Sequence, residues 1–311
     1  MPETNQETEP SNQPPPEPHE GDSGPTLSRG LVLVATPIGN LADFSPRAAA
    51  ALRTADLVLC EDTRTTARLL QHHGITVRTE ALHDHNEEGR VPGLLQRLRD
   101  GARIAVVSDA GTPLVSDPGF RLVRAAVAAG LPVTAVPGAN AAVTALVLSG
   151  LPPQPFLFLG FPPPRSAARL AAFGQLRAAE LAGLSATLIW HEAPHRLAEM
   201  LADAATTFGP RPAAVARELT KRFEEVRRAP LPDLAAFYAA EPARGEITVI
   251  LGPPDPETTE AADLDTLLHQ ALANGTVKDA AATVAAATGL PRKTVYSRAL
   301  ELAKPPKPQG G

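Results

Sequence analysis

Apolar runs alternate with amphipathic or Ala-rich stretches along most of the chain, from residue 30 onward. Short apolar runs bounded by Gly and Pro are typical of strands, and the longer stretches between them predict helices. The first half predicts strands at 31–35, 57–60, 103–107 and 133–136, and helices at 46–53, from 63, up to 99, up to 129 and at 141–148. The polar segment 83–88 before the helix that ends at 99 is expected to be a loop. The second half predicts strands at 156–159, 186–190, 213–218 and 246–251, helices within 167–182 and at 196–206 and 231–240, and a further segment near 224–228. Strands that alternate with helices indicate an α/β fold with βαβ units and mainly parallel sheets.

Segments rich in Gly and Pro divide this pattern into domains. We expect an N-terminal α/β domain at 30–150, a C-terminal α/β domain at 151–252, a linker at 253–261 and a small helical unit at 262–304. The two ends, 1–29 and 305–311, are rich in Pro and almost without large apolar side chains. Such segments cannot bury enough surface to offset the entropy of ordering, so both are expected to be disordered tails.

The small helical unit has the pattern of a helix-turn-helix. Thr276 and Asp279 are spaced as a capping box that starts a helix, and a Thr-Gly-Leu-Pro turn at 288–291 leads into a second helix. That second helix carries three basic side chains, Arg292, Lys293 and Arg298. A positive second helix suits nucleic-acid binding. A helical hairpin that only packs against the rest of the protein stays an alternative.

Composition changes this picture mainly through charge and compartment. Of 311 residues, 43% are hydrophobic but only 4% aromatic, so Ala, Leu and Val must fill the cores. The net charge of −5 resides in 1–29, and the remainder is balanced, so the acidic total does not exclude a nucleic-acid partner. Cys60 is the single cysteine, which excludes an internal disulfide and suits a reducing cytosol. No apolar stretch is long enough to span a bilayer and no signal-peptide pattern is present, so we expect a cytoplasmic protein without membrane contact.

The segment Ser108–Gly119 concentrates residues that fix backbone angles, directly after the predicted strand 103–107. It reads Ser-Asp-Ala-Gly-Thr-Pro-Leu-Val-Ser-Asp-Pro-Gly. Gly permits positive φ and the close approach of a ligand, while Pro restricts its own φ and the residue before it. Open α/β sheets bind ligands at loops that follow the carboxyl ends of strands. The segment therefore predicts a ligand site, with an ordinary tight turn as the alternative.

Further motifs occur in a fixed order around this loop. They are Thr36-Pro-Ile-Gly-Asn-Leu41, Glu61-Asp-Thr-Arg64, His83-Asp-His-Asn-Glu87, Val136-Pro-Gly-Ala-Asn140, Glu192-Ala-Pro-His-Arg196, Ala216-Arg-Glu-Leu-Thr-Lys221 and Gly245-Glu-Ile247. With this set the chain resembles the tetrapyrrole-methylase-like, or class III, S-adenosylmethionine methyltransferases. Among these it is similar to the bacterial enzymes that methylate a cytidine 2′-hydroxyl in 16S rRNA. The resemblance covers roughly residues 30–304.

The resemblance implies two α/β domains of the tetrapyrrole methylase type, with S-adenosylmethionine in the cleft between them, and a homodimer. It implies the small ribosomal subunit as partner and the decoding-centre cytidine of its 16S rRNA as substrate. It also explains why no G-x-G-x-x-G motif follows the first strand, where a Rossmann-type methyltransferase or dehydrogenase has one. Carried over by motif, the cofactor site comprises Pro37, Ile38, Gly39, Asp109, Ala110, Gly111, Thr112, Pro113, Ser116, Pro137, Gly138, Glu192, Ala216, Gly245 and Glu246.

Methyl transfer to a ribose hydroxyl is an in-line displacement, which depends on positioning and on removing or sharing the hydroxyl proton. We expect Glu218 and Lys221 to lie nearest to the reacting oxygen, because two charged side chains at the end of a buried strand indicate a functional role. Arg64 and His83 are expected to orient the ribose or a phosphate. For Glu61, Asp62 and Arg64, capping and ion pairing at a helix start are an equally good interpretation.

A metal centre at 83–85, with the His pair at 72–73, is disfavoured because consecutive ligands on a loop rarely converge without others placed elsewhere, and we expect no metal.

Two positions depart from the family pattern: Asn140 stands where Ser is usual, and Trp190-His191 replaces a position where Tyr or Phe is common. Asn and Ser both cap helices, so the helix at 141–148 is expected to keep its start.

An RNA partner requires cations for its phosphates. The densest cluster is Arg217, Lys221, Arg222, Arg227 and Arg228. With so few aromatic residues, phosphate and shape contacts are expected to dominate over base stacking. Two rival functions stay open: a methylase of the same fold that acts on a tetrapyrrole carbon, and a nucleic-acid-binding regulator whose α/β part senses a ligand.

Overall fold

The computed structural model describes residues 29–254, 256–273, 275–288 and 291–303. Apart from Arg29, the tails expected at 1–29 and 305–311 lie outside these residues. The chain divides into two compact units. The first unit contains the described chain up to Val34, Pro46–Val107 and Pro118–Val136, and the second contains Ala35–Ser45, Ser108–Asp117 and the chain from Pro137 onward. Within the described part, no helix has the length and apolar character needed to cross a membrane.

The first unit holds a five-stranded parallel sheet in the order β3-β2-β4-β1-β5. Its strands are β1 (Gly30–Val34), β2 (Leu57–Cys60), β3 (Thr79–Ala81), β4 (Arg103–Val107) and β5 (Val133–Val136). Its helices are α1 (Pro46–Thr54), α2 (Thr63–His72), α3 (Asp84–Arg99) and α4 (Phe120–Ala128). Leu33 of β1 is in register with Val106 on one side and Ala135 on the other. The near-continuous apolar runs of the inner strands suit a parallel sheet that is covered on both faces.

The edge strand β3 was not predicted. It is short and reads Thr-Glu-Ala, without the apolar pattern that marks the other strands. The Glu80 carboxylate within it pairs with Arg78 at 2.8 Å and Arg97 at 3.5 Å, and also contacts Arg90. These basic partners neutralise an acid in the strand, and their place in the fold cannot be inferred from the local sequence.

The polar segment expected to be a loop, His83–Glu88, is instead the entry into helix α3. The His83 N–H donates to the Asn86 side-chain oxygen at 2.9 Å, which is the reciprocal half of a capping box. The Glu87 carboxylate is buried and accepts a hydrogen bond from the Leu122 N–H at 2.9 Å. The polar side chains of this segment thus start a helix and satisfy the Leu122 N–H in the first turn of α4. Neither role can be inferred from composition alone.

The second unit holds a five-stranded sheet in the order β6-β7-β10-β8-β9. Its strands are β6 (Phe156–Phe158), β7 (Thr187–Glu192), β8 (Pro212–Arg217), β9 (Glu225–Pro230) and β10 (Ile247–Leu251). Only β6 and β7 pair in parallel; the other three pairs are antiparallel, so the prediction of a mainly parallel sheet is wrong here. The loop 218–224 between β8 and β9 is too short for the crossover that parallel neighbours require.

Alternating side chains of this sheet pack on two separate layers, as the period of a strand requires. One face joins helices α7 (Leu197–Phe208) and α8 (Leu231–Ala240) through Leu188, Trp190, Val215, Val249 and Leu251. Helix α6 (Ser166–Leu181) contributes Phe173 to the same core. The other face packs on α5 (Ala141–Ser149) through Ile189, Ala214, Ala216 and Ile250.

Helix α5 belongs with the second sheet, whereas the expected domain boundary at residue 150 assigns it to the first domain. Its buried positions include Ala142 and Ala145, whose small side chains allow the helix to lie close to Ala214 of the sheet. Asn140 caps the helix by accepting from the Val143 N–H at 3.1 Å, so the expected helix start is confirmed. A Gly-Leu-Pro-Pro connector follows α5 but does not separate it from the sheet.

Three helices form the C-terminal helical unit: α9 (Pro256–Leu272), α10 (Val277–Thr288) and α11 (Arg292–Leu302). They share a core of Leu268, Ala281, Val284, Val295 and Ala299. The expected start of α10 at Thr276 is confirmed: Thr276 Oγ1 accepts from the Asp279 N–H at 3.3 Å and donates to Asp279 Oδ2 at 2.6 Å, so the Asp279 carboxylate contacts the Thr276 hydroxyl. The linker expected at 253–261 is shorter than predicted, because α9 begins at Pro256, and Pro is well suited to the first turn of a helix.

Candidate functional site

A cavity of about 410 Å³ opens in the second unit, where β7 and β8 end and β10 begins. All of its lining residues belong to that unit. They are Ile38, Ala110, Gly111, Thr112, Val115, Ser116, Asp117, Asn140, Ala141, Phe161, His191, Glu192, Ala193, Pro194, Ala216, Leu219, Gly245, Glu246, Ile247 and Thr248. The size and the mixture of apolar walls with a few polar groups suit a small organic ligand.

Two Gly/Pro loops that are far apart in sequence are locked together at one wall of this cavity. Thr36 and Gly111 exchange backbone hydrogen bonds of 2.9 and 3.1 Å, and Ser108 Oγ donates to the Gly111 carbonyl at 2.9 Å. Gly111 has φ +82°, and a Cβ there would lie 3.2 Å from a methyl carbon of Ile38. The glycine therefore serves both a left-handed backbone and close approach of the two loops.

The Ser108–Gly119 loop is also held in a conformation that side chains rarely adopt. Leu114 and Ser116 both have positive φ, at 70° and 69°, although neither is a glycine. Thr112 Oγ1 donates to the Ala139 carbonyl at 3.1 Å, which ties the loop to the start of α5. Positive φ at such residues persists only when surrounding contacts enforce it, and it concentrates at functional sites.

Glu192 provides a buried acceptor in the cavity wall. Its residue exposure is 2%, and its Oε1 accepts from the Ala193 N–H at 2.7 Å and from Arg196 Nε at 2.8 Å. The other oxygen, Oε2, is buried and has no hydrogen-bond partner among the described residues. A buried carboxylate oxygen without a donor is costly, so this atom is suited to accept an N–H or O–H group of a ligand.

His191 adds a neutral aromatic surface beside Glu192. Its ring lies 4.9 Å from the Phe158 ring and 5.7 Å from the Phe161 ring, and its Nδ1 is 3.2 Å from Thr248 Oγ1. Burial lowers the pKa of His191, and the nearby Glu246 carboxylate only partly opposes this. The imidazole is therefore uncharged at neutral pH. Trp190 points to the opposite face, where it packs on Phe173 in the core.

Glu218, Lys221 and Glu246 form a charged group beside the cavity. Lys221 Nζ lies 3.0 Å from Glu218 Oε1 and 3.1 Å from Glu246 Oε2. Two glycines make room for it: a Cβ on Gly245 would lie 2.2 Å from Glu218 Oε1, and one on Gly39 would lie 2.5 Å from Lys221 Cγ. Three separate segments of the chain therefore determine where these charges sit.

Both members of the Glu218–Lys221 pair are ionised at neutral pH. The hydrogen bond from Lys221, followed by that from the Glu246 N–H, lowers the pKa of Glu218. Burial opposes the charge on Lys221, but its hydrogen bonds to Glu218 and Glu246 together outweigh burial and raise its pKa. A protonated lysine cannot accept a proton. Of the two side chains, only the Glu218 carboxylate can accept a hydrogen bond from a hydroxyl.

The residues expected to bind a cofactor fall into two groups. Those that line the cavity are Ile38, Ala110, Gly111, Thr112, Ser116, Glu192, Ala216, Gly245 and Glu246. Those that do not line it are Pro37, Gly39, Asp109, Pro113, Pro137 and Gly138. In the second group, Gly39 lies against Lys221, and a Cβ on Gly138 would approach Ala35 Cβ to 2.8 Å, so both glycines allow segments of the wall to pack closely.

Arg64 and His83 lie in the first unit and do not line the cavity. Asp62 caps α2 by accepting from the Arg64 N–H at 2.8 Å and pairs with the Arg64 guanidinium at 2.7 Å, so the interpretation as a cap and ion pair describes them. The Arg64 side chain is 87% exposed. His83 caps α3. No three His, Cys, Asp or Glu side chains of the described ranges come together as a metal site.

The basic cluster expected to contact RNA is largely occupied by internal partners. Glu225 pairs with Arg217 at 2.6 Å and with Arg227 at 2.8 Å. Arg228 donates to the Ser149 carbonyl at 3.1 Å, at the C-terminus of α5. Arg222 and Arg228 have no ion pair in the described part of the chain, and of these two Arg228 is held by backbone carbonyls. On α11, Arg298 pairs with Asp265 and Glu301, both at 2.6 Å, which leaves Arg292 and Lys293 as its exposed cations.

Several lining residues were missed by sequence reasoning. Asn140 and His191 had been noted only as a helix cap and a departure from the family pattern. Leu219 lies within the Ala216–Lys221 motif but was not assigned to the site, and Phe161 follows Gly160 without a motif of its own. Thr248 continues the Gly-Glu-Ile motif by one residue into β10. An alternation argument for β10 would have found it, since its neighbours Ile247 and Val249 point into cores.

Comparison with known proteins assigns both parts of the chain. Residues 30–235 match the family model described as Tetrapyrrole (Corrin/Porphyrin) Methylases, and residues 258–303 match that of the RsmI C-terminal HTH domain. A protein of Mesorhizobium japonicum named ribosomal RNA small subunit methyltransferase I is 46% identical over 89% of this chain and 93% of its own length. Proteins with the same name from Micromonospora olivasterospora and Escherichia coli O157:H7 are 48% and 42% identical, over 86% and 87% of this chain and 85% and 94% of their own lengths.

Solved structures support the fold at lower identity. The crystal structure of the methyltransferase CobJ aligns with a TM-score of 0.53 at 19% identity, covering 72% of this chain and 94% of its own. The crystal structure of diphthine synthase aligns with a TM-score of 0.52 at 16% identity, covering 71% of this chain and 89% of its own. At these identities the likeness concerns the fold alone.

Proposed function

Because this chain belongs to the tetrapyrrole (corrin/porphyrin) methylase family, we propose that it transfers a methyl group from S-adenosylmethionine to a cytidine 2′-hydroxyl in 16S rRNA of the small ribosomal subunit. The observation that carries the proposal is the combination of the cavity with relatives that are named ribosomal RNA small subunit methyltransferase I over nearly their whole length. The decoding-centre cytidine as target rests on the sequence resemblance.

The cavity fits S-adenosylmethionine in its chemistry. The cofactor carries hydrogen-bond donors, and the buried Glu192 Oε2 is an acceptor without a partner among the described residues. Apolar walls from Ile38, Ala216 and Leu219 suit its adenosine and methionine carbons. The loops at 108–117 and 245–248 would hold it together with Glu192. When bound, the cofactor supplies an electrophilic methyl group.

The protein's own residues would then prepare the hydroxyl. In the proposed site Lys221 supplies a fixed positive charge next to a phosphate or to the reacting oxygen, and Glu218 accepts a hydrogen bond from the hydroxyl. Because Glu218 is already a weak base, positioning rather than proton removal would contribute most of the acceleration. Arg64, exposed at the start of α2, and His83 are proposed to orient ribose or phosphate, because both lie in polar segments that follow strands of the first sheet.

We also propose a homodimer and a cytoplasmic location. Val143 and Val147 lie one turn apart on α5 and are 46% and 67% exposed, which is an apolar stripe suited to a second copy of the chain. Light scattering of the wild type and of a Val143→Glu/Val147→Glu variant tests the dimer: the variant should be monomeric. A wild type that is monomeric at micromolar concentration would contradict it.

The function is tested with labelled S-adenosylmethionine and three acceptors: small ribosomal subunits lacking the modification, the corresponding naked rRNA, and a uroporphyrinogen. We expect label in the small subunit, and a block to reverse transcription at a single 2′-O-methylated cytidine. Label in the tetrapyrrole and not in RNA would replace the proposed function with that of a carbon methylase. Tight binding of duplex DNA without cofactor binding would favour a regulator.

A further inference from the structure

The loop 218–224, between β8 and β9, presents an aromatic ring to solvent. Phe223 is 64% exposed in a chain that has only nine Phe, two Tyr and one Trp. An exposed phenyl ring contributes nothing to a core, and exposed aromatic rings in nucleic-acid-binding proteins serve as surfaces on which bases stack. Because it lies beside the proposed site, the exposed Phe223 ring is a candidate for contact with the substrate.

The loop that carries Phe223 is rigid. Glu218 and Thr220 have positive φ, at 50° and 65°. Thr220 Oγ1 accepts from the Asn40 N–H at 3.1 Å, the Thr220 N–H donates to Glu224 at 2.6 Å, and the Lys221 N–H donates to the Glu218 carbonyl at 3.0 Å. These contacts hold a strained backbone in one conformation. A ring on such a loop is preorganised, so little entropy is lost when something stacks on it.

The surroundings of Phe223 are basic and adjoin the cavity. The ring borders a recess of about 260 Å³ that is also lined by Arg217, Glu218, Arg244 and Gly245, and Gly245 lines the cavity as well. Arg222 lies over the Phe223 ring, with its guanidinium carbon 5.6 Å from the centroid. Within the described part of the chain neither Arg222 nor Arg244 has an ion pair, in contrast to Arg217, which pairs with Glu225.

We propose that Phe223 is a stacking platform for a base of the substrate RNA next to the methylated nucleotide, with Arg222 and Arg244 contacting the flanking phosphates. The inference rests on the proposed function and adds to it the element that grips the single strand. An aromatic face with Arg222 over it and Arg244 in the same recess matches a nucleotide, which offers a flat base and charged phosphates together. The expectation that base stacking contributes little changes accordingly at this loop.

The test compares three variants at Phe223 with one control. Phe223→Ala should raise the KM and Kd for small-subunit RNA about tenfold or more, whereas Phe223→Trp should retain wild-type values and Phe223→Leu should not. Affinity for S-adenosylmethionine, measured by calorimetry, should be unchanged in all of them. Phe120→Ala is the matched control, since Phe120 is 61% exposed with Arg124 at 5.6 Å from its ring but borders neither cavity nor recess; it should behave as wild type.

Two further measurements separate stacking from charge. Arg244→Ala should reduce the salt dependence of RNA binding by about 0.7 in the slope of log K against log salt, whereas Phe223→Ala should leave that slope unchanged. In Phe223→Trp, RNA should quench the fluorescence of the introduced Trp, because a base would stack on its ring. The native Trp190 should not respond, since it is 2% exposed and buried in the core.

The outcomes distinguish the two levels of the argument. Three results would each overturn the stacking platform alone. They are wild-type methyl transfer to RNA by Phe223→Ala, equal losses in Phe120→Ala and Phe223→Ala, and full function of Phe223→Leu. A wild type that binds S-adenosylmethionine but transfers no methyl to any rRNA would overturn the proposed function instead.

Discussion

Gly245 offers the sharpest test of whether the Glu218–Lys221 pair matters for activity. It has φ +83°, and a Cβ at this position would lie 2.2 Å from Glu218 Oε1 and 2.4 Å from Cδ. In Gly245→Ala the carboxylate must therefore retreat by about 1 Å or more to reach an ordinary contact distance. It would thereby lose its 3.0 Å contact with Lys221 and its hydrogen bond from the Glu246 N–H at 3.1 Å.

The expected cost to stability is modest. Ala in the left-handed region costs about 1–2 kcal/mol, and a partly exposed ion pair contributes about 0.2–1 kcal/mol more. Gly183→Ala is the matched control, because Gly183 also has positive φ, +104°, in the second unit but has no atom within 4 Å of the added Cβ. Urea denaturation should find the two variants within about 1 kcal/mol of each other.

Activity should separate the two variants. A misplacement of about 1 Å in a positioned group can reduce rate about 100-fold, so Gly245→Ala should lose methyl transfer while Gly183→Ala retains it. If the loss acts through the carboxylate, Gly245→Ala combined with Glu218→Ala should be no worse than Glu218→Ala alone. Equal transfer rates in Gly245→Ala and Gly183→Ala would refute the reasoning, and so would additive losses in the double variant.

Three further predictions address binding, pH and the helical unit. Glu192→Ala should weaken S-adenosylmethionine binding by about 1.5–3 kcal/mol, at least tenfold in Kd by calorimetry, because it removes the unpartnered acceptor; unchanged affinity would contradict this. The lowered pKa of Glu218 stabilises the folded state above the ordinary pKa of 4.5, and this stability is lost as pH falls through the pKa of the folded state. The raised pKa of Lys221 stabilises the folded state below the ordinary pKa of 10.5, and this stability is lost as pH rises through the pKa of the folded state. The coupling energy between Glu218→Gln and Lys221→Met should therefore be constant from about pH 5 to about pH 10, and a maximum within that range would count against the ion pair. Asp265→Asn should speed amide exchange in α9 and α11, which the Arg298 pair joins, and leave exchange in the two sheets unchanged; faster exchange in the sheets would show a wider role.

The local sequence patterns predicted where most strands and helices lie, but not how the strands pair in the second sheet. Apolar runs identified eight of the ten strands in the described residues, because a buried strand must be apolar wherever it pairs. The polar strand β9 lies at the segment near 224–228, to which the sequence assigned no element. The polar edge strand Thr79–Ala81 escaped, since ion pairs from distant arginines stabilise it. The antiparallel order of the second sheet escaped too, because direction depends on how the whole chain crosses the sheet.

The site shows the same division. Loops rich in Gly and Pro were recognisable because their backbone demands appear in the residue types, as at Gly111. Glu218 and Lys221 were recognisable as two charges at the end of a predicted strand, but their ion pair became visible only in the structure. The third charge, Glu246, and the close approach of Gly39 depend on tertiary packing. Arg64 met both descriptions equally well in the sequence, and the capping geometry of Asp62 became visible only in three dimensions.

The cavity is assembled from segments that are remote along the chain, with Thr36 bonded to Gly111 and Asn40 to Thr220. Contacts of such high sequence separation close long loops, which makes them slow to form and late on a folding pathway. During synthesis β10 emerges after the other nine strands of the described residues, and it contributes Ile247 and Thr248 to the wall next to Gly245 and Glu246. A nascent chain that ends before this strand would thus lack both the strand that joins β7 to β8 and part of the ligand-binding wall, so binding competence arises only once translation has passed β10.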